Sequence, residues 1–95
     1  MLAVFAKCKV VDGMETDFIH LAHNLAEKSR AESANVSYDI LSEVGKTNGE
    51  YFFLEKWNDK TGLDNHMAMD YFKNTIAAVQ KIIEGELEIH VYETV

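Results

Sequence analysis

The sequence has no proline, one cysteine and one arginine among its 95 residues. Each scarcity excludes something. Cys8 has no partner for an internal disulfide, which fits a reducing compartment and makes the cytoplasm the expected location. No apolar run approaches the ~20 residues that span a bilayer, so no membrane partner is expected. The first six residues are hydrophobic, but Lys7 and Lys9 follow closely and no charged segment precedes them. They are not expected to form a signal peptide. Nine basic residues stand against sixteen acidic ones, a net charge of −7. With no Lys/Arg cluster, this argues against nucleic acid and anionic membranes. There is no Gly-rich phosphate loop, CxxC, GxSxG or HExxH motif, and no repeat or low-complexity segment.

What is present patterns as one small domain, residues 1–95. The apolar fraction is 47%, ample for a globular core. Leu2 to Val11 reads as a strand that Asp12-Gly13 ends. Met14, Phe18, Leu21, Ala22, Leu25 and Ala26 then recur at helical spacing up to about Arg30. Glu15 and Asp17 at one end, and Lys28 and Arg30 at the other, suit the helix dipole. Asn35 to Val44 reads as a second strand and Tyr51 to Trp57 as a third, with Asn48-Gly49 as a hairpin signal. A short helix follows Asn58-Asp59-Lys60-Thr61, and a second runs from Asp70 to Ile83, with Gly85 at its C-cap. Leu87 to Val95 reads as the last strand.

The order is βαββαβ, a ferredoxin-like α+β arrangement with an antiparallel sheet and helices on one face. The third strand is apolar on both sides. Phe53 and Trp57 point one way, and Phe52 and Leu54 the other. A second copy of the chain is the simplest cover for the helix-free face, giving a homodimer. Register decides which second-strand residues join the pocket side. A two-residue Asn48-Gly49 loop puts Tyr38 and Ile40 beside Glu55 and Trp57; a five-residue loop puts Ser37 and Asp39 there. The shorter loop is the commoner use of Asn-Gly.

Candidate chemistry concentrates in Glu55-Lys56-Trp57-Asn58-Asp59 and His66. Glu55 and Trp57 share a strand face, and His66 lies far enough on to fold back over both. A carboxylate, an indole and an imidazole around one cavity suit a planar aromatic ligand with a polar edge. The same residues also read as plain structure: Trp57 as core, Glu55 paired with Lys46 or Lys56, His66 capping the short helix. His20 and His23 have a chelating spacing but no evident third ligand, so no metal site is expected. Cys8 reads as a small buried hydrophobe. His90 reads as an edge or pocket-lining residue.

Two stretches carry a family resemblance. Arg30-Ala31-Glu32-Ser33-Ala34-Asn35-Val36-Ser37-Tyr38-Asp39 resembles the segment between first helix and second strand in the antibiotic biosynthesis monooxygenase family. Phe53-Leu54-Glu55-Lys56-Trp57-Asn58-Asp59, then His66, then Tyr71-Phe72, resembles that family's Glu-x-Trp, His and aromatic-pair signature. The match runs over nearly the whole chain. The resemblance implies a dimeric α+β barrel with one cavity per chain, and cofactor-independent oxidation of a quinol-like or phenolic molecule by O₂. It makes His66 the base or hydrogen-bond partner of the phenol. Asn35 and Tyr38 would orient substrate oxygen, and Trp57, Tyr71 and Phe72 would form ring walls. Glu55 would orient His66 or another polar neighbour. Arg30 would hold a developing anion or remain a solvated helix end.

Two departures stand out. The family's usual glycine before the second strand is Ala34 here. Haem-degrading relatives carry an Asn on the first strand, where this chain has Phe5, Ala6 and Lys7. Two other functions share the fold. One is isomerisation of a small phosphorylated molecule, for which Arg30 is the one nearby cation. The other is a small-molecule-binding dimer with no oxygenase activity.

Overall fold

A computed structural model describes residues 1–95. Its elements are β1 (Leu2–Val10), α1 (Glu15–Arg30), β2 (Asn35–Leu41), β3 (Glu50–Trp57), α2 (Lys60–Ala68), α3 (Asp70–Gln80) and β4 (Ile83–Glu93). The four strands form one antiparallel sheet in the order β2-β3-β1-β4. This is the ferredoxin-like α+β arrangement, with the helical crossover before β4 split into α2 and α3. No helix is long and apolar enough to cross a membrane.

Period-two burial in β1 fixes the two faces of the sheet. Val4, Ala6, Cys8 and Val10 are buried under the helices, while Lys7 and Lys9 point the other way. The α1 stripe of Phe18, Ala22, Leu25, Ala26 and Ser29 closes over them. Val79 of α3 and Ile83 of β4 complete the core. The opposite face has no helix. There Phe5 stacks on Phe52 with ring centroids 5.5 Å apart, beside Leu54, and Lys7 pairs with Glu50 at 2.8 Å.

The central hairpin departs from the pattern-based reading. β2 ends at Leu41 rather than Val44, and residues 42–49 form the connection, so the loop is longer than two residues. Val44 is fully exposed. Tyr38 nevertheless pairs with Glu55, and Ile40 with Phe53, so both lie on the pocket face. Lengthening the loop by an even number of residues changes the pairing but leaves the face unchanged.

Gly85 is not a helix cap. α3 ends at Gln80, and β4 begins at Ile83, four residues before the expected Leu87. Gly85 has φ +68° within β4, where pairing slips between Lys7–Glu88 and Lys9–Glu84. A left-handed residue at a strand irregularity is a position for glycine.

Asp59 is the N-cap of α2, its carboxylate accepting from the Gly62 amide at 2.8 Å. That first turn sits hard against the α1–β2 connection. A Cβ on Gly62 would stand 2.4 Å from the Cβ of Ala34. The departure at Ala34 thus keeps a negative φ, and the glycine that close approach requires stands on α2 instead.

Candidate active site

α2 lays His66 across the pocket face of β3. Its ring lies 4.4 Å from that of Trp57, tilted by 36°, and 4.7 Å from that of Phe72, in an edge contact. His66 is 1% exposed. A fully buried imidazole requires partners, and one side has them. Nδ1 lies 2.7 Å from Glu32 Oε2. The Tyr71 hydroxyl donates to the same oxygen and lies 3.3 Å from Nδ1. Behind it, Ser29 Oγ stands 3.4 Å from the Tyr71 hydroxyl and donates to the Leu25 carbonyl at 2.7 Å. The other ring nitrogen, Nε2, is buried and has no partner.

His66 lines a cavity of about 40 Å³. Tyr38 and Glu55 join it there from β2 and β3, and the remaining lining is apolar, including Phe53, Leu63, Met67, Phe72 and Ile76. Leu87, Ile89 and Val91 of β4 form the far wall. Ile89 and Val91 are each 51% exposed, because no helix covers that end of the sheet. The cavity therefore opens between β4 and the α2–α3 pair.

Burial sets the protonation of this site. It lowers the His66 pKa, with Glu32 pulling the other way, so the imidazole is neutral at physiological pH. It raises Glu55 to about 7, against the opposing hydrogen bond from the Trp57 indole N–H at 3.0 Å. It raises the Tyr38 hydroxyl strongly, with further help from the Glu55 charge. It raises Tyr71 to about 12, assisted by Glu32, so Tyr71 remains a donor.

The Glu55 shift has a stability consequence. Its folded pKa lies above the ordinary 4.5, so between those values the native state binds more protons than the unfolded chain. Its contribution is complete at low pH and is lost as pH rises from 4.5 through about 7. Glu55→Gln is expected to be more stable than wild type at pH 8 by on the order of 3 kcal/mol, and about equal at pH 4.5. Urea unfolding of both proteins across that range checks it; a pH-independent difference would contradict it.

The structure brings together His66, Glu55, Tyr38 and Phe72 at the cavity, and places the other candidates around it. Trp57 is wholly buried beneath His66 rather than lining the cavity. Tyr71 stands behind His66, bonded to Glu32. Glu55 is paired with the Trp57 indole and makes no hydrogen bond to His66. Asn35 lies outside the cavity: its amide donates to the Ser37 and Lys56 carbonyls at 3.1 and 3.2 Å, closing the irregularity at the start of β2. Arg30 also faces away. Its Nε donates to the Tyr38 carbonyl at 3.0 Å, and its guanidinium lies 3.9 Å from Asp39 on the surface. His20 and His23 are exposed on α1, and His90 bonds Glu88 on the open sheet face.

Sequence reasoning missed Glu32 and Ser29. Glu32 lies inside the recognised Arg30–Asp39 stretch, and a buried histidine needs a partner. Those two facts were the available signal, but a pairing across 34 residues leaves no trace in local spacing.

Comparison with known proteins agrees with this architecture. The family model described as antibiotic biosynthesis monooxygenase matches residues 1–78. The chain is 29% identical over 89 residues to the Bacillus subtilis (strain 168) protein named "Putative monooxygenase YcnE", covering 94% of this chain and 93% of that one. A crystal structure of an antibiotic biosynthesis monooxygenase superposes with a TM-score of 0.91 at 25% identity, covering 100% of this chain and 99% of the other. A conserved protein from Methanosarcina mazei Go1 superposes at 0.92 with 26% identity, covering 99% of this chain and 92% of that one. The chain belongs to the antibiotic biosynthesis monooxygenase family.

Proposed function

We propose that this protein is a cofactor-independent monooxygenase acting on a quinol-like or phenolic molecule. The observation that carries the reading is the unpartnered Nε2 of His66, buried at an otherwise apolar cavity. A phenol hydroxyl supplies the missing donor there, and its ring suits the walls of Phe53, Phe72 and Ile76. Transfer of the phenol proton to Nε2 makes the ring electron-rich, and the substrate itself then reduces O₂. One oxygen atom goes onto the ring carbon; the other leaves as water with two substrate hydrogens, and the phenol becomes a quinone. The protein's part is to bind, orient and exclude water. The cavity is far smaller than the ~300 Å³ of a ligand pocket, so a ring enters as Met67 and Phe72 move away from Ile89 and Val91.

The alternative chemistries fit less well. No Lys or Arg lines the cavity, and Arg30 is engaged at the surface, which disfavours a phosphorylated substrate. The first-strand residues lining the cavity are Val4 and Ala6, which offer haem no polar contact.

We read residues 1–95 as one domain acting in a reducing, cytoplasmic setting, as a homodimer. Phe5, Phe52 and Leu54 would meet their copies across the open sheet face, in the way an apolar patch on a small domain is normally covered. Sedimentation at micromolar concentration is expected to give twice the chain mass; a persistent monomer would contradict it. Oxygen uptake with a panel of hydroquinones and phenols, using ¹⁸O₂ and mass analysis of the product, tests the activity. One labelled atom per product is expected. No uptake with any member would overturn the oxygenase reading and leave a binding protein.

A further inference from the structure

We propose that Glu32 is a positioning residue: together with Tyr71 it holds His66 as the tautomer protonated on Nδ1, leaving Nε2 an acceptor for the substrate hydroxyl. Counting protons among three side chains leads there. Glu32 Oε2 and His66 Nδ1 are 2.7 Å apart, and the Tyr71 hydroxyl lies against both. Tyr71 has one proton to give, and it goes to the carboxylate oxygen. If His66 carried its proton on Nε2, the Nδ1 lone pair and the Glu32 carboxylate would face each other at that distance with no proton between them. The Nε2–H would meanwhile stand buried and without an acceptor. Protonation on Nδ1 places a proton between the ring and the carboxylate, and it leaves at Nε2 an unpaired acceptor that a substrate hydroxyl satisfies.

The three groups come from separate parts of the chain. Glu32 lies in the α1–β2 connection, His66 on α2 and Tyr71 at the start of α3. Ser29 on α1 backs the Tyr71 hydroxyl. Glu55 and Tyr38 face the cavity from β3 and β2, and neither bonds to His66. The arrangement therefore acts on His66 from one side and leaves the other open. When a substrate O–H bond breaks and its proton forms an Nε2–H bond, the imidazolium charge develops beside Glu32. The same proton later leaves on the departing water, and His66 returns to its starting tautomer with Glu32 unchanged.

The inference rests on the reading of His66 as the group that meets the substrate oxygen, but its first readout does not depend on activity. Long-range ¹H–¹⁵N correlation spectra distinguish the two neutral tautomers and the imidazolium. Wild type is expected to show Nδ1 protonated and Nε2 bare. Glu32→Gln keeps an amide oxygen that accepts from Nδ1–H, so the tautomer persists, while the pH at which His66 becomes charged falls. Glu32→Ala is expected to give mixed tautomers; if it fails to fold, the isosteric Glu32→Gln variant still carries the test. Turnover of a phenol accepted by wild type should fall by about 10–100-fold in Glu32→Gln with KM little changed, because the amide still holds the ring but carries no charge to face the developing imidazolium. The acidic limb of its pH–rate profile should move to lower pH. Protonation on Nε2 in wild type would overturn the proposal, as would an unchanged turnover and pH profile in Glu32→Gln. An Nδ1 tautomer in a protein that takes up no oxygen would sink the oxygenase reading and leave the assignment of Glu32 standing.

Discussion

His66→Ala is expected to lower kcat/KM for oxygen uptake by about 10²–10⁴-fold, the range for removing a positioned general base. The effect should fall mainly on turnover. Phe53, Phe72 and Ile76 still wall the cavity, so much of the binding of an apolar ring survives. Two controls separate chemistry from collapse. The variant leaves a space shaped for an imidazole between Trp57 and Phe72, so added imidazole should recover part of the rate. Glu32 and Tyr71 remain bonded to each other in its absence, so the α1–β2 connection should stay in place. Oxygen-electrode traces with and without imidazole check both points. Wild-type uptake in His66→Ala would move the base elsewhere, and Glu55 is the remaining ionisable group of suitable pKa on the cavity.

The element order was legible because each element carries its own periodicity. β1 alternates, α1 repeats its apolar residues at three and four, and β3 is apolar on both faces. The boundaries that went astray depend on partners rather than on pattern. Val44 is apolar and continues the alternation of β2, but no strand pairs with it, so the chain turns away at Leu41. Gly85 follows a helix and resembles a cap. It serves instead where β4 slips against β1, a requirement set by pairing across some 77 residues.

The candidate site divides along the same line. Glu55, Trp57 and His66 were legible because two share a strand face and the third lies one turn and a short helix away. Their connections were not. The indole N–H takes Glu55, which leaves His66 to a different carboxylate. Asn35 and Arg30 stand at plausible positions in sequence, but backbone carbonyls of β2 and β3 take both side chains. Such local side-chain to backbone bonds are set by where the backbone folds, and residue spacing does not reveal them.

Trp57→Ala is expected to cost about 3–5 kcal/mol, a large part of the ~5–14 kcal/mol that holds a domain of this size together. The indole is fully buried where the first residues of β1 and β2 meet the end of β3, and it carries the His66 ring on its face. Its removal opens a void under the site and takes the indole donor from Glu55, leaving the Tyr38 hydroxyl. Trp57→Phe separates these effects. It keeps most of the packing and loses the N–H, so it should cost about 1–3 kcal/mol, the penalty of an unsatisfied buried acceptor. That cost should grow with pH. The indole hydrogen bond, with a smaller share from the Tyr38 hydroxyl, opposes the upward shift of Glu55, so without the indole the carboxyl stays protonated to higher pH, and ionising it becomes more expensive. In the Glu55→Gln background no ionisation remains, and the cost of Trp57→Phe should become independent of pH. Urea unfolding of the two single variants and the double variant at pH 5 and pH 8 decides the matter. Equal costs at both pH values in the wild-type background would mean that the indole serves packing alone.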